Sequence, residues 1–430
     1  MGSETTGCPV SGKINLDEAT LLDPAILAHP TEFYAAMRKD DPVHYDPKLD
    51  MYLVSRYDDL QVVLRDPITF SVQKGFAEQY AKGFQEEYFE ILTREGGGIF
   101  GRAIMTDPPE HTRVRRLLDG AFTAHRVKTL EPRIIELTVG LIEKLLDKGQ
   151  AEIFSDFSMP LVSSFICEQL GVTLPSETIQ RWTAALTLQI SRMQTREQML
   201  EAAKEMCEMQ LFIIDQINDR KQHPREDMIS DLVHARLEGE DPPCLTFDES
   251  VSMVVALMVA GNETTATALT NLLFILATRP DIAEKLASSV DDERLLTRFI
   301  EELLRWEAPV RGITRMTTKE VELGGTRLPV GAHLLLLYAS ANDDESQFKC
   351  PRDFDMERPN LGRHASFGGG VHRCAGAALA RMELKVAARE IVRRMDSIKL
   401  AVPLEEIAYV PTVATHSIAS LPMTFTRRTQ

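Results

Sequence analysis

The stretch from Thr246 to Arg279 constrains the fold more than any other part of the chain. Thr246 and Glu249 have the spacing of a capping box, an apolar pattern follows, and Arg279-Pro280 ends it. This predicts a helix of roughly 30 residues, about 48 Å long, which must cross the whole molecule. It is apolar on most faces, so it is expected to be buried. Yet its centre reads Ala260-Gly261-Asn262-Glu263-Thr264-Thr265. A glycine weakens a helix by about 1 kcal/mol, and a buried carboxylate or hydroxyl needs a partner. Such residues in the middle of a buried helix point to a site.

A helix of this length needs a large body around it. The chain has 430 residues, 44% apolar and 26% charged, an ordinary globular composition with room for an internal cavity. No repeat, low-complexity tract or linker divides it, so a single domain over 1–430 is expected, with a flexible N-terminus over 1–20. The outline is mainly α, with small peripheral β-sheets. Helices are predicted at Tyr57–Arg65, Ile134–Leu146, Ala202–Ile217 and Ala377–Arg394. Strands are predicted at Met51–Ser55, between Val321 and Tyr338 around a Gly324-Gly325 turn, and over Ile418–Phe425.

Charge and cysteines narrow the function. Against 64 acidic residues stand 48 basic ones, a net charge of −16, which argues against nucleic acid as a partner. The six cysteines (Cys8, Cys167, Cys207, Cys244, Cys350, Cys374) are scattered, as in a reducing compartment. The polar start Met1–Gly7 lacks the apolar core of a signal peptide, and Val251–Ala277 is interrupted by Asn262, Glu263 and Asn271. A cytoplasmic protein without a membrane span is expected, working as a monomer.

The sharpest local pattern is Phe367-Gly368-Gly369-Gly370-Val371-His372-Arg373-Cys374-Ala375-Gly376, just before a helical run. Its glycines allow the backbone to approach a flat object closely. A cysteine ahead of a helix meets free N–H groups and a dipole that favour a thiolate, which can serve as a nucleophile or a metal ligand. Upstream, Glu302 and Arg305 lie three apart on one helical face, and His111 and Arg115 four apart on another. Each alone is compatible with a solvated surface pair.

Taken together, Phe367-Gly368-x-Gly370-x-His372-x-Cys374-x-Gly376 resembles the haem-binding loop of the cytochrome P-450 family, the haem-thiolate monooxygenases of the soluble bacterial type. The resemblance implies the family's fold, with haem b (iron protoporphyrin IX) buried between the long helix and the cysteine loop. It makes Cys374 the axial thiolate and only metal ligand from the protein, with Phe367 near the sulfur and Gly368 and Gly376 shaping the loop. Glu302-Leu303-Leu304-Arg305 resembles the family's Glu-x-x-Arg helix, joined by Arg358 in a structural ion-pair network. His111, Arg115, Arg315 and His372 match positions that meet the haem propionates, which need cations if buried. Ala260 and Gly261 match the oxygen-binding kink. Thr264 would bond iron-bound oxygen, and Glu263 would relay protons. The sequence departs from the family at Asp343, where a basic residue is usual, and at Ala375, where a larger one is often found.

Phe76, Tyr80, Phe84 and Tyr88 recur every four residues, an aromatic stripe if helical, equally compatible with core packing. With Leu257, Val259, Ala260, Val310 and Ile313 they suggest an apolar substrate pocket. The resemblance thus implies insertion of one oxygen atom of O2 into a C–H bond of a small-to-medium apolar molecule, terpenoid, steroid or aromatic. Electrons would come from a ferredoxin or similar protein with its reductase, steered by Arg113, Arg116, Arg363, His364 and Arg373. The competing readings are a haem-thiolate peroxygenase, a haem-binding sensor or carrier, and a cysteine-nucleophile hydrolase using Cys374 and His372. The Glu263-Thr264 pair counts against the first two, and the two-residue spacing of Cys374 and His372 against the third.

Overall fold

The computed structural model describes residues 14–77, 84–100, 103–120, 124–190 and 194–429. The long helix runs Phe247–Thr278, with the capping box formed: Glu249 N–H donates to Thr246 Oγ1 at 3.2 Å, and Thr246 N–H to Glu249 Oε2 at 2.8 Å. Two apolar cores are built along it. Its first half, Val251 to Val259, packs with side chains from helices Gln85–Glu95, Glu110–Asp119, Met159–Leu170, Ser176–Ile190 and Arg196–Gln222. Its second half, Ala266 to Leu276, packs with Glu131–Lys148, Glu293–Trp306 and Ala377–Arg394. Residues 260–265 belong to neither core. The helix runs unbroken through the polar centre of the sequence, which is where the apolar packing parts.

Ten strands are found among the described residues: β1 (Val43–Asp46), β2 (Met51–Val54), β3 (Phe70–Ser71), β4 (Gln150–Glu152), β5 (Gly312–Thr317), β6 (Val321–Leu323), β7 (Thr326–Leu328), β8 (His333–Leu337), β9 (Met395–Leu400) and β10 (Pro422–Arg427). The largest sheet has the order β1-β2-β8-β5-β3, parallel only between β2 and β8. A second sheet has the order β4-β10-β9, and β6 and β7 form the hairpin expected around Gly324-Gly325. In β5, the register Gly312↔Leu337 to Met316↔His333 carries Ile313 and Arg315 into the interior of the sheet.

Three expectations change. The last strand starts at Pro422 rather than Ile418, because the preceding segment pairs elsewhere: Thr415 bridges Val310, and Ile418 bridges Tyr409. The aromatic stripe is not one helix. Helix Val72–Ala77 carries Phe76, whose side chain lies outside the described ones, and Tyr80 lies outside the described residues. Phe84 sits before the next helix at φ −121° and ψ 1°, and Tyr88 is buried in the first core. Of the stretch 1–20, residues 14–20 are described, and Thr20 is anchored by a 2.8 Å bond to Asp46.

Candidate functional site

The cysteine loop turns between helices Tyr57–Arg65 and Ala377–Arg394. The Cys374 N–H donates to the Phe367 carbonyl at 3.0 Å, closing the loop on itself. Gly370 has φ +61°, and a Cβ there would collide with the Leu64 carbonyl oxygen, so only glycine lets the loop lie on that helix. Phe367 is covered by the Arg381 guanidinium, 4.3 Å above its ring. Cys374 is exposed by surface area yet densely surrounded by protein, so it faces an internal cleft. Burial holds its thiol above the usual range, opposed by a hydrogen bond from the Gly376 N–H and by Arg115, Arg381 and Arg373.

Beside this loop lies a cluster of two histidines and two arginines short of anions. His111 is 1% exposed, its ring centroid is 3.9 Å from that of His372, and neither of its ring nitrogens has a partner among the described residues. His372 Nε2 also lacks one. Arg315, on β5, is 2% exposed and bonds the Thr314 carbonyl at 2.7 Å, with no carboxylate in ion-pair reach among the described residues. Burial, then His111, Arg315 and Arg115, push His372 down to about 3. Arg115 is the best satisfied, bonding Asp119 at 2.7 Å and the Arg373 carbonyl at 2.5 Å. Orphaned buried donors cost about 1–3 kcal/mol each, so this cluster is built for an anionic group.

The long helix presents an open stripe. Ala260 and Gly261 are exposed in mid-helix, and a Cβ added to Gly261 or to Gly376 would meet nothing within 4 Å. Thr264 Oγ1 donates to the Ala260 carbonyl at 2.9 Å, its own helix backbone. Glu263 accepts from Thr187, on helix Ser176–Ile190, and from Thr415 at 3.3 Å. Burial raises its carboxyl above the usual range, and these two hydroxyls act against the rise. Leu257, Val310 and Ile313 are half-buried, whereas Val259 is 4% exposed within the first core.

The ion-pair network forms as the spacing predicts. Glu302 accepts from Arg305 at 2.8 and 2.9 Å, from Arg358 at 3.0 Å and from the Asp355 N–H at 2.8 Å. Asp343 joins it, 3.7 Å from Arg305 and 3.1 Å from Arg352, and Arg352 stacks 4.5 Å over Trp306. The acidic departure at 343 is thus matched by a cation supplied from 352. The expected docking patch shrinks: Arg113 is buried against Glu249 and the Cys244 carbonyl, His364 is buried 3.1 Å from Glu301, and Arg116 pairs with Glu240 at 2.6 Å. Arg363 and Arg373 remain exposed.

Residues 75–400 match the family model for cytochrome P450. The chain belongs to the cytochrome P450 family. It is 30% identical to cytochrome P450 109 of Bacillus spizizenii over 92% of each chain. It is 32% identical to the cytochrome P450 monooxygenase PikC of Streptomyces venezuelae, over 93% of this chain and 92% of that one. Its structure superposes on the P450 haem domain of Tepidiphilus thermophilus with a TM-score of 0.86 and 30% identity, covering 95% and 96% of the two chains. This P450 is an enzyme of the monooxygenase class, whose members bind haem b through an axial cysteine thiolate. Its residues fit that cofactor: a cysteine facing a cleft, glycine gaps on two sides, and two unpartnered imidazoles beside Arg315 and Arg115 for two carboxylates. No helix among the described residues is long and apolar enough to cross a membrane.

Several side chains at the P450 site escape reading by motif. Thr187 and Thr415 hold Glu263 from 76 residues before and 152 after it, separations no local pattern reveals. Tyr338 is buried beneath the loop, with its hydroxyl 3.1 Å from where a Cβ on Gly368 would sit. Arg381 could have been suspected from its place four residues into the helix that follows the cysteine loop.

Proposed function

We propose that this P450 inserts one atom of O2 into a C–H bond of a neutral, apolar substrate of small-to-medium size, terpenoid, steroid or aromatic in type. Cys374 would supply the thiolate that holds the haem, and 1–430 acts as one haem domain fed by a ferredoxin-type protein and its reductase. The observation that carries the assignment of the site is the pair of unpartnered histidines His111 and His372, with Arg315 lacking a carboxylate among the described residues, beside the Cys374 loop. Haem, when bound, supplies a redox-active iron at which dioxygen is reduced and activated.

The chain supplies the rest. His111, Arg115, Arg315 and His372 bind and orient two carboxylates, which relieves their buried unpaired donors. The Gly376 N–H and the guanidinium groups of Arg115, Arg381 and Arg373 favour the thiolate over the thiol. Ala260 and Gly261 leave room at the helix, and Thr264 can turn its hydroxyl from the Ala260 carbonyl toward that space. Glu263 keeps its proton to higher pH than a solvated carboxyl does, which suits a proton donor. Leu257, Val310 and Ile313 give the open side an apolar lining, and no charged side chain is among them.

Thr264→Ala tests the relay. Haem content and substrate binding should be unchanged, while most reducing equivalents end in peroxide or water. Unchanged coupling of electron consumption to product would remove Thr264 from the mechanism.

A further inference from the structure

The segment 409–418 crosses the long helix as a strap. Tyr409 pairs with Ile418, and Thr415 pairs with Val310. The Arg311 N–H donates to Ala414 at 2.9 Å and the His416 N–H to Pro309 at 3.0 Å. Extended backbone sends successive side chains to opposite faces. Toward the long helix, Thr415 donates to Glu263 at 3.3 Å, and the Ser417 hydroxyl lies 2.9 Å from that of Thr267. On the other face His416 Nδ1 pairs with Glu307, and Nε2 lies 3.2 Å from the Ala28 carbonyl. The His416 ring is stacked on Tyr409 at 4.3 Å and 3°.

Glu307 caps the C-terminus of helix Glu293–Trp306, the helix that carries Glu302 and Arg305. Burial pushes its carboxyl up, but His416, then Arg352 and Arg311, bring it below the ordinary range. The ion-pair network is therefore joined, through one imidazole, to the strap that touches Glu263.

We propose that His416 is a positioning residue: held by Glu307, Ala28 and Tyr409, it fixes the strap where Thr415 donates to Glu263, and so sets the orientation of that carboxyl. Its effect on turnover rests on the relay role of Glu263 given above; its effect on the Thr415–Glu263 bond does not. A hydrogen bond donated to a carboxylate favours the charged form. Besides burial, Thr187 from helix Ser176–Ile190 and Thr415 from the strap are the groups that shift Glu263. Displacing the strap must therefore raise the proton affinity of Glu263 just as deleting the Thr415 hydroxyl does.

The test is the titration midpoint of the Glu263 carboxyl band in infrared difference spectra of the ferric, haem-loaded protein, assigned with Glu263→Gln. Thr415→Val should raise the proton affinity about three- to tenfold, the loss of one hydrogen bond. His416→Phe should raise it equally, the double variant no further, and His416→Gln, whose amide still reaches Glu307, much less. Glu307→Gln attacks the pair from the other side and should act in the same direction, which keeps the test open if His416→Phe does not fold. A Glu263 midpoint unmoved by His416→Phe or, where that variant does not fold, by Glu307→Gln overturns the proposal. So do additive effects of His416→Phe and Thr415→Val. If the midpoints move together while coupling of electrons to product stays constant, His416 positions Glu263 as proposed and the relay role of Glu263 is what fails.

Discussion

Replacing Glu302 by Gln tests how helix Glu293–Trp306 is tied to the chain leading to the cysteine loop. The carboxylate is 0% exposed and accepts from Arg305, Arg358 and the Asp355 N–H. Glutamine keeps the volume but offers one acceptor oxygen, turns N–H groups toward a guanidinium, and leaves two buried cations without their counter-charge. Breaking a buried pair in this way costs about 3–5 kcal/mol. Asp343, 3.7 Å from Arg305, remains as a second anion. That places the cost at the lower end, about 3 kcal/mol. Over an unfolding entropy of roughly 0.9 kcal/mol/K for 430 residues, the melting midpoint should fall by about 3–4 °C. Far-UV circular dichroism melts of the haem-loaded protein measure this. Glu320→Gln, in a pair whose side chains are 56% and 78% exposed, is the control and should not move the midpoint. A Glu302→Gln midpoint within about 1 °C of the parent would refute the reasoning.

Glu301 is held down to about 2: burial raises it, but His364 and Arg381 outweigh burial. Its contribution to stability is whole above its unfolded value of 4.5 and is lost as pH falls toward 2, so Glu301→Gln should flatten acid unfolding in that window. Glu383 has the opposite sign. Burial raises it from 4.5 to about 8, so stability is whole below 4.5 and declines as pH rises to 8. Glu383→Gln should therefore match the parent in urea titrations at pH 4.5 and exceed it at pH 8; equal stability at both would contradict the shift. Arg363→Glu with Arg373→Glu should slow reduction by a ferredoxin at low salt and weaken its salt dependence. Unchanged stopped-flow rates would dismiss this surface as the docking face.

The long helix was legible almost to the residue, because its capping box and closing Arg279-Pro280 are local signals. The helix after the cysteine loop likewise runs Ala377–Arg394 as the pattern predicts. What depends on distant pairing was not legible. Residues 418–421 read as the start of a strand from their composition, yet Ile418 bridges Tyr409 and the Ala419 N–H donates to the Ala408 carbonyl, which makes them part of a strap. Arg113 reads as a surface cation until Glu249 is seen to serve both the helix cap and its guanidinium. At the site, Glu263 and Thr264 stand out as polar residues in an apolar run, but Thr187 and Thr415 do not, since threonines are common and their target is set by tertiary packing.

The central claim is that Cys374 supplies a thiolate to haem. The most direct measurement is the difference spectrum of dithionite-reduced protein with and without carbon monoxide, repeated for Cys374→His. A strongly red-shifted Soret band, lost in the variant, is the predicted result. A band at the ordinary histidine-ligated position in the folded parent, or no bound haem when haem is amply supplied during expression, would contradict it.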